Sequence, residues 1–329
     1  MSALDRISGL FGRGSRSART LATGLSAALV VAAFGFADAH AAGPDAVPYH
    51  FFTFDNKADG NFNQLLGVNQ SVEIVGYDGD GTVQPNKGYL LVPGGHYSDE
   101  NFPGSVQTQV IGINNNPFPL TVGFWVDGTG NNFGFVNNHF GGFASVHNPH
   151  TGVSGGVKVN QLLGVNDAGI AAGFYVDSAG NSHGYTFNSN NNTFSEIKLP
   201  FANVKSFQAT GINNANIICG AYTDAVTTHG FFGKKGSFTT VSVPHTQATT
   251  FFGENNKGVL VGFVTKGGVS EGLIYDSIHR ASRILNDPHQ SAKTAFGVNG
   301  TTINGINDLN QIVGFYSDGK KVHGFYAFP

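Results

Sequence analysis

Residues 211–232 read GINNANIICGAYTDAVTTHGFF, and this pattern recurs along the chain. A Gly-hydrophobic-Asn step leads into a short turn, a hydrophobic run ending in Gly, a polar turn and a Gly-aromatic step. Six copies are present, with their asparagines at Asn69, Asn114, Asn166, Asn213, Asn255 and Asn307. Successive asparagines are 45, 52, 47, 42 and 52 residues apart. A period of about 40–50 residues carrying several short strands is typical of propeller blades, so the sequence predicts an all-β, six-bladed β-propeller.

Each blade is expected to contain four strands. In the fourth copy, hydrophobic or alternating runs at 208–213, 217–223, 229–233 and 238–243 are separated by turns rich in Asn, Asp and Gly. The last copy ends at Pro329 after three strands, while residues 49–55 (YHFFTFD) precede the first copy and match the pattern of a fourth strand. We therefore expect the N-terminal strand to complete the last blade and leave no open sheet edge.

Three glycines recur in every copy and are Gly211, Gly220 and Gly230 in the fourth. Because glycine lacks a Cβ, we expect them where neighbouring backbones or blades approach closely. The repeated asparagine can hydrogen-bond the backbone of its own turn, which also favours a structural role.

The first 41 residues have the pattern of a signal peptide. Four arginines precede an uncharged run over 21–37, and Ala39-His40-Ala41 fits a small-x-small cleavage site. The sequence therefore predicts export to the periplasm or the extracellular space, with no membrane insertion after cleavage. A short segment at 42–48 and the propeller at 49–329 would then form the mature chain, which we expect to be a monomer.

Composition argues against several classes of partner. Charged residues make up 12% of the chain, the formal net charge is −3, and no basic stripe is present. Binding to nucleic acid or to anionic membranes is therefore disfavoured. Cys219 is the single cysteine, so no intrachain disulfide can form, and sister copies carry Val or Ala at its position. This pattern predicts a small buried side chain rather than a catalytic thiol.

The repeat resembles that of the bacterial extracellular HAF-repeat proteins over residues 49–329. The stretches GINNANIICGAYTDAVTTHGFF and GINDLNQIVGFYSDGKKVHGFY carry the resemblance, and three of the six copies keep the final His-Gly-aromatic step. The resemblance implies an extracellular repeat protein and no particular reaction, because that family is defined by the repeat itself.

Asp-His pairs recur in the turn between the second and third strands of three copies. They are Asp177 with His183, Asp224 with His229, and Asp318 with His323. The fifth copy has Lys266 and Glu271 instead, so opposite polarity survives with the charges exchanged. Such an exchange suits a cross-strand pair that closes a hairpin, and it would not be tolerated by a catalytic dyad.

Four residues are the remaining candidates for a site. His150, His245 and His289 begin the connections after fourth strands and are candidates for ligand binding. They arise on separate blades without a recognisable ligand spacing, so we expect no metal site and no cofactor. Glu254 replaces the hydrophobic residue between Gly253 and Asn255 in one copy only, which makes it the sole candidate for catalysis.

These observations favour an exported binding or interaction module whose ligand is a glycan or a surface protein. No nucleophile elbow, phosphate-binding loop or pair of catalytic carboxylates is found, so the sequence favours a protein that is not an enzyme. Two alternatives remain open. One is a hydrolase or lyase with a site on the loop face at the channel mouth, for which Glu254 beside a loop histidine would be the distinguishing feature. The other is a structural envelope protein without a small ligand.

Overall fold

The computed structural model describes residues 47–56, 60–80 and 85–329. Over these ranges the chain forms strands, turns and loops without a helix, which confirms the all-β prediction. None of the described segments is therefore a helix of the length and hydrophobicity needed to span a membrane. The predicted signal peptide at 1–41, and most of the segment at 42–48, lie outside the described residues.

Each copy of the sequence pattern forms one antiparallel unit, which we call a repeat. The first repeat comprises β2 (Phe62–Val68), β3 (Ile74–Gly79), β4 (Lys87–Val92) and β5 (His96–Asp99). The second comprises β6 (Gln107–Ile113), β7 (Thr121–Val126), β8 (Asn132–Asn137) and β9 (Phe143–Val146). A small hairpin, β10 (Val153–Ser154) and β11 (Val157–Lys158), precedes the third repeat.

The third repeat comprises β12 (Asn160–Val165), β13 (Ile170–Val176), β14 (Ser182–Asn188) and β15 (Thr193–Glu196). The fourth comprises β16 (Ser206–Ile212), β17 (Ile218–Thr223), β18 (Thr228–Lys234) and β19 (Ser237–Val241). The fifth comprises β20 (Ala248–Glu254), β21 (Val259–Lys266), β22 (Val269–Asp276) and β23 (Ala281–Ile284). The sixth comprises β24 (Thr301–Ile306), β25 (Ile312–Ser317) and β26 (Val322–Phe328). In the fourth repeat, every strand boundary lies within two residues of the sequence prediction.

The sixth repeat obtains its fourth strand from the other end of the described chain. Strand β1 (His50–Thr53) pairs antiparallel with β26, from His50 opposite Phe328 to Thr53 opposite Phe325. The Phe51 ring lies 5.3 Å from the Phe325 ring. Just beyond β1, the Asp55 carboxylate lies 2.7 Å from Nδ1 of His323. This strand therefore occupies the position that the sequence assigned to residues 49–55.

The repeated glycines lie where backbones meet. The first strand of every repeat contains a register shift at the same place, which in the fourth repeat falls between Ala209 and Gly211. This bulge turns a carbonyl toward the second strand, so a Cβ on Gly220 would lie 2.0 Å from the Gln208 oxygen. A Cβ on Gly211 would lie 2.7 Å from the Phe252 oxygen of the next repeat. Neither position can accept a side chain without moving the backbone, which confirms the reason proposed for these glycines.

Hydrophobic clusters fill the spaces between adjacent repeats. One of them joins Cys219 and Val241 of the fourth repeat to Phe251, Leu260 and Leu273 of the fifth. The Cys219 side chain is fully buried, and burial raises the pKa of its thiol well above the usual range. Cys219 is thus a core residue, as its sister positions indicated.

Candidate functional site

The repeated asparagines connect each repeat to the next. Within its own turn, the Asn213 Oδ1 accepts hydrogen bonds from the amides of Ala215 and Ile217, each at 3.0 Å. Its Nδ2 donates to the carbonyl of Asn255 in the next repeat at 3.2 Å. The equivalent bonds run Asn69 to Asn114, Asn114 to Asn166, Asn166 to Asn213, Asn255 to Asn307, and Asn307 back to Asn69. Six hydrogen bonds of 3.0–3.2 Å therefore form a cycle that returns to its first residue.

A solvent-open depression lies inside this cycle of asparagines. All six repeats supply equivalent residues to its wall. We call the residues that precede the asparagines the collar: Val68, Ile113, Val165, Ile212, Glu254 and Ile306. We call the residues that follow them the rim: Gln70, Asn115, Asp167, Asn214, Asn256 and Asp308. The end of the molecule that carries both is the asparagine face.

The rim residues hold one another through hydrogen bonds. In five of the six rim residues the backbone amide donates to the side-chain oxygen of the next, as in Asp167 to Asn214 at 2.9 Å and Asn256 to Asp308 at 2.7 Å. The same bond joins Gln70 to Asn115, Asn115 to Asp167, and Asn214 to Asn256. A row of amide and carboxylate groups is thereby fixed around the opening of the depression.

Glu254 is the only ionisable residue in the collar. Its side chain is 8% exposed, one carboxyl oxygen lies 3.4 Å from the Asn213 Nδ2, and the other has no hydrogen-bond partner. Burial raises the pKa of Glu254 to about 8. None of the described residues that line the depression is Lys, Arg or His. The site therefore combines a polar rim, a largely buried collar and one poorly satisfied carboxyl group.

The Asp-His turns lie at the opposite end of the repeats, because successive strands run antiparallel. We call this end the histidine face. It also carries the connections from one repeat to the next. The structure brings the three predicted pairs together at 2.8 Å for Asp177 with His183, 3.1 Å for Asp224 with His229, and 3.4 Å for Asp318 with His323.

Each of these histidines rests on a tyrosine of the neighbouring strand. The ring centroids of Tyr175 and His183, of Tyr222 and His229, and of Tyr316 and His323 lie 5.0–5.1 Å apart. The tyrosine hydroxyl in turn reaches the fourth-strand position, as in Tyr222 with Thr240 at 3.0 Å. The pairs are therefore parts of a stacked arrangement that ties three strands together.

His229 also contacts Ser242, which gives a Ser-His-Asp arrangement. The Ser242 Oγ lies 2.7 Å from Nδ1 of His229, whose Nε2 faces Asp224. In the sixth repeat, however, Asp55 takes the place of the serine beside His323 at 2.7 Å. Because a carboxylate can replace the serine in the same arrangement, the contact is explained by strand pairing without a nucleophile.

The expected pair in the fifth repeat is not formed, so that part of the prediction was wrong. Lys266 lies opposite Val269, and Glu271 lies opposite Val264. The turn between β21 and β22 contains only Gly267 and Gly268, so strand pairing continues through Lys266, whereas Asp224 of the fourth repeat lies in the turn beyond the last strand pair. Among the described ion pairs, none joins Lys266 to Glu271.

The three loop histidines lie on separate repeats. His150 lies over Tyr175 and His289 lies over Tyr316, with ring centroids 6.0 and 6.3 Å apart. His245 is exposed and has a positive φ of 61°. Within the described ranges, no group of three or more His, Cys, Asp or Glu side chains is placed to hold a metal ion.

Glu254 is far from these histidines. His245 precedes the first residue of β20, and Glu254 is the last residue of this seven-residue strand. At about 3.3 Å per residue, the strand separates them by roughly 20 Å. The structure therefore does not bring together Glu254 and a loop histidine, the feature that would have distinguished an enzyme.

Comparisons with known proteins give the fold class. No protein-family model matches the chain, and no curated protein matches it. Among solved structures, the Aleuria aurantia lectin in complex with Fucalpha1-6GlcNAc is 8% identical, with a TM-score of 0.50 over 80% of this chain and 91% of the lectin. TolB from Acinetobacter baumannii is 10% identical, with a TM-score of 0.50 over 66% of this chain and 53% of TolB, so the match spans about half of TolB. The chain has a β-propeller-like fold.

A third similar structure is that of an enzyme. A gluconolactonase from Xanthomonas campestris is 12% identical, with a TM-score of 0.49 over 84% of this chain and 89% of the enzyme. At these identities the likeness concerns the fold alone, and the function of a β-propeller-like chain has to be argued from its own residues.

Sequence analysis alone did not identify the rim. A signal was present, since a polar residue with a side-chain oxygen follows every repeated asparagine. We attributed those positions to turn chemistry, which they also serve. Only the register of the strands shows that all six face the same opening.

Proposed function

We propose that the protein is an exported six-bladed β-propeller, closed by its N-terminal strand, that acts as a binding module. The cycle of six asparagine hydrogen bonds and the pairing of β1 with β26 support the closed ring. We further propose that it is related to the HAF-repeat proteins, on the strength of the repeated sequence pattern. Export is proposed from the leader sequence.

The binding site that we propose is the depression on the asparagine face. Ligand sites in proteins are concave and contain converging polar groups that fix orientation. The depression has these features, because a rim of amides and carboxylates converges on it above a collar that is largely buried. This observation carries the proposal, and it favours a ligand displayed on a protein or a glycan, whose protruding group can enter from solvent.

A binding function is favoured over a hydrolase or lyase because the side chains that could serve as general acid and general base lie far apart. A general acid and a general base must both reach the reacting atoms of one substrate. Glu254 and the loop histidines occupy opposite faces, so they do not form such a pair. The structural envelope protein, which would lack a concave polar site, is disfavoured by the depression itself.

Two variants locate the binding site on one face of the protein. Gln70→Arg places a long cationic side chain at the rim, where the Gln70 side chain makes no described hydrogen bond. Val226→Arg adds the same charge on the histidine face, at a residue that is 88% exposed. Both variants and the wild type would be applied to an array of neutral, acidic and amino-sugar glycans and to a panel of purified exported proteins.

The expected result is a ligand that binds the wild type and Val226→Arg but loses at least about tenfold in affinity for Gln70→Arg, which corresponds to 1.4 kcal/mol. A ligand that binds all three forms equally would place the binding site elsewhere. Loss with Val226→Arg alone would move the site to the histidine face.

A further inference from the structure

Glu254 stands where the other repeats have an aliphatic side chain. The equivalent collar residues are Val68, Ile113, Val165, Ile212 and Ile306. The scaffold therefore accepts an aliphatic residue at this position and does not need a carboxyl group there. A buried carboxyl with one unpartnered oxygen costs folding free energy, because desolvation is not offset by hydrogen bonds.

The groups around Glu254 lack a positive charge. Asn213 and Asn214 at the end of β16, and Asn307 and Asp308 after β24, are the polar groups on the neighbouring repeats. Cys219 of β17 is the titratable group packed behind Glu254, and the charge on Glu254 raises the pKa of its thiol further. Asp167 adds a second rim carboxylate, and Lys257 in the turn after β20 is exposed and does not line the depression.

The polar rim and the carboxyl group together select the ligand. A sugar hydroxyl would leave the Glu254 charge uncompensated, and a divalent metal ion prefers several charged ligands, whereas the collar offers one. An alkylammonium group combines a slender apolar stem with a point charge that donates three hydrogen bonds. Its slender stem can pass between the rim side chains while its nitrogen meets the carboxylate.

We propose that the depression on the asparagine face binds a primary alkylammonium group, such as the end of a lysine side chain, with its stem between the rim residues and its nitrogen on Glu254. The inference rests on the proposed binding function and names the chemical group that enters the site. The rim amides and the Asp167 and Asp308 carboxylates surround the path of the cation from solvent.

Binding of the cation requires the ionised form of Glu254, so affinity and pH are linked. The alkylammonium stays charged up to about pH 10, as a lysine does. With a pKa of about 8 for Glu254, binding strengthens as the pH rises from 6 to 9, and protons are released on binding below pH 8. From pH 6.5 to 8.5 the ionised fraction, and with it the affinity, increases about 25-fold.

Isothermal titration calorimetry with two pairs of probes tests the proposal. n-Butylamine is compared with n-butanol, and Nα-acetyl-lysine amide with Nα-acetyl-norleucine amide, in buffers that contain no primary amine. The amine of each pair is expected to bind at pH 8.5 at least tenfold more tightly than its neutral analogue. Tight binding of butylamine alone would identify free amines as the ligand source, and tighter binding of the lysine amide would identify a protein side chain.

Glu254→Gln keeps the shape of the side chain and is expected to lose both the preference for amines and the pH dependence. Glu271→Gln, which removes a carboxylate from the histidine face, is the matched control and should bind as the wild type does. Equal amine affinity in wild type and Glu254→Gln, or no preference for amine over alcohol, would overturn the inference. In that case, selective loss of a glycan or protein ligand in Gln70→Arg would still support the binding module, so the two proposals can fail separately.

Discussion

Glu254 should make the stability of the protein depend on pH, by an amount that follows from its burial. Its pKa is raised from 4.5 to about 8, so the carboxyl is mostly neutral in the folded protein at pH 7 and ionised in the unfolded chain. A group whose pKa is raised by folding contributes stability below its unfolded pKa. That contribution is lost as the pH rises through the folded pKa. The shift corresponds to at most about 5 kcal/mol, at 1.36 kcal/mol per pKa unit.

The perturbation is Glu254→Gln, which removes the titration and keeps an oxygen that can accept a hydrogen bond from Asn213. Urea unfolding would be followed by tryptophan fluorescence and circular dichroism at pH 5, 6, 7, 8 and 9, without primary amines in the buffer. The stability of the variant relative to wild type should increase by up to about 1.4 kcal/mol per pH unit between pH 5 and 8 and then level off. Glu254→Ile should show the same trend, because sister repeats already accommodate isoleucine.

Parallel stability curves for wild type and Glu254→Gln between pH 5 and 9 would refute the reasoning, since they would mean that Glu254 titrates normally in the folded state. Glu271→Gln controls for the removal of one negative charge. If it gives the same slope as Glu254→Gln, the pH dependence belongs to net charge and not to burial at the collar.

Three further predictions concern the scaffold. Gly220→Ala should destabilise the protein by more than about 3 kcal/mol, because its Cβ would overlap a main-chain carbonyl. Gly128→Ala, where a Cβ meets nothing within 4 Å, should change stability by less than about 1 kcal/mol in the same urea titration. Deleting residues 49–55 should lower the thermal midpoint by at least about 10 °C, since it removes a whole strand and exposes its partner; an unchanged melting curve would contradict the pairing of β1 with β26. The pKa of His323 is raised, chiefly by its hydrogen bond to Asp55, so Asp55→Asn should lower it in an NMR titration. The stability that His323 contributes should be present at acid pH and lost as the pH rises through its folded pKa.

The sequence could predict the strands because the constraints that place them are local. Glycine recurs in every copy where two backbones approach closely, and asparagine recurs in the tight turn. The strand boundaries of the fourth repeat were therefore predicted to within two residues. The pairing of Lys266 with Glu271 could not be predicted in the same way. The register is the same as in the Asp-His repeats, since Glu271 lies opposite Val264 as His229 lies opposite Tyr222. The two-residue turn keeps Lys266 in the strand, and a valine stands in place of the tyrosine on which the histidine stacks.

The position of the candidate site could not be predicted from the sequence either, for a geometric reason. Long variable connections drew attention to the histidine face, because binding groups are often carried by such loops. The histidines there are instead explained by stacking on tyrosines, at 6.0 Å for His150 and 6.3 Å for His289. The short turns of the asparagine face converge on one opening because each repeat presents the same end of its first strand. Convergence of six equivalent positions depends on how the repeats are arranged around the depression and is not visible in any single copy.

Repetition gives a physical measure of which deviations matter. At the collar, five repeats fold with an aliphatic side chain. The needs of the scaffold therefore do not explain why the remaining repeat has a glutamate. Replacing that residue by glutamate introduces a buried carboxyl with an oxygen that has no hydrogen-bond partner, and this lowers stability above pH 5. A cation delivered by a ligand would provide the missing partner and restore the stability that ionisation removes. The same residue should therefore make the apo protein less stable at alkaline pH and the ligand-bound protein more stable there. Thermal shift with butylamine at pH 6 and pH 9 distinguishes this coupling from a purely structural cost, because only the coupling predicts a larger amine-induced shift at the higher pH.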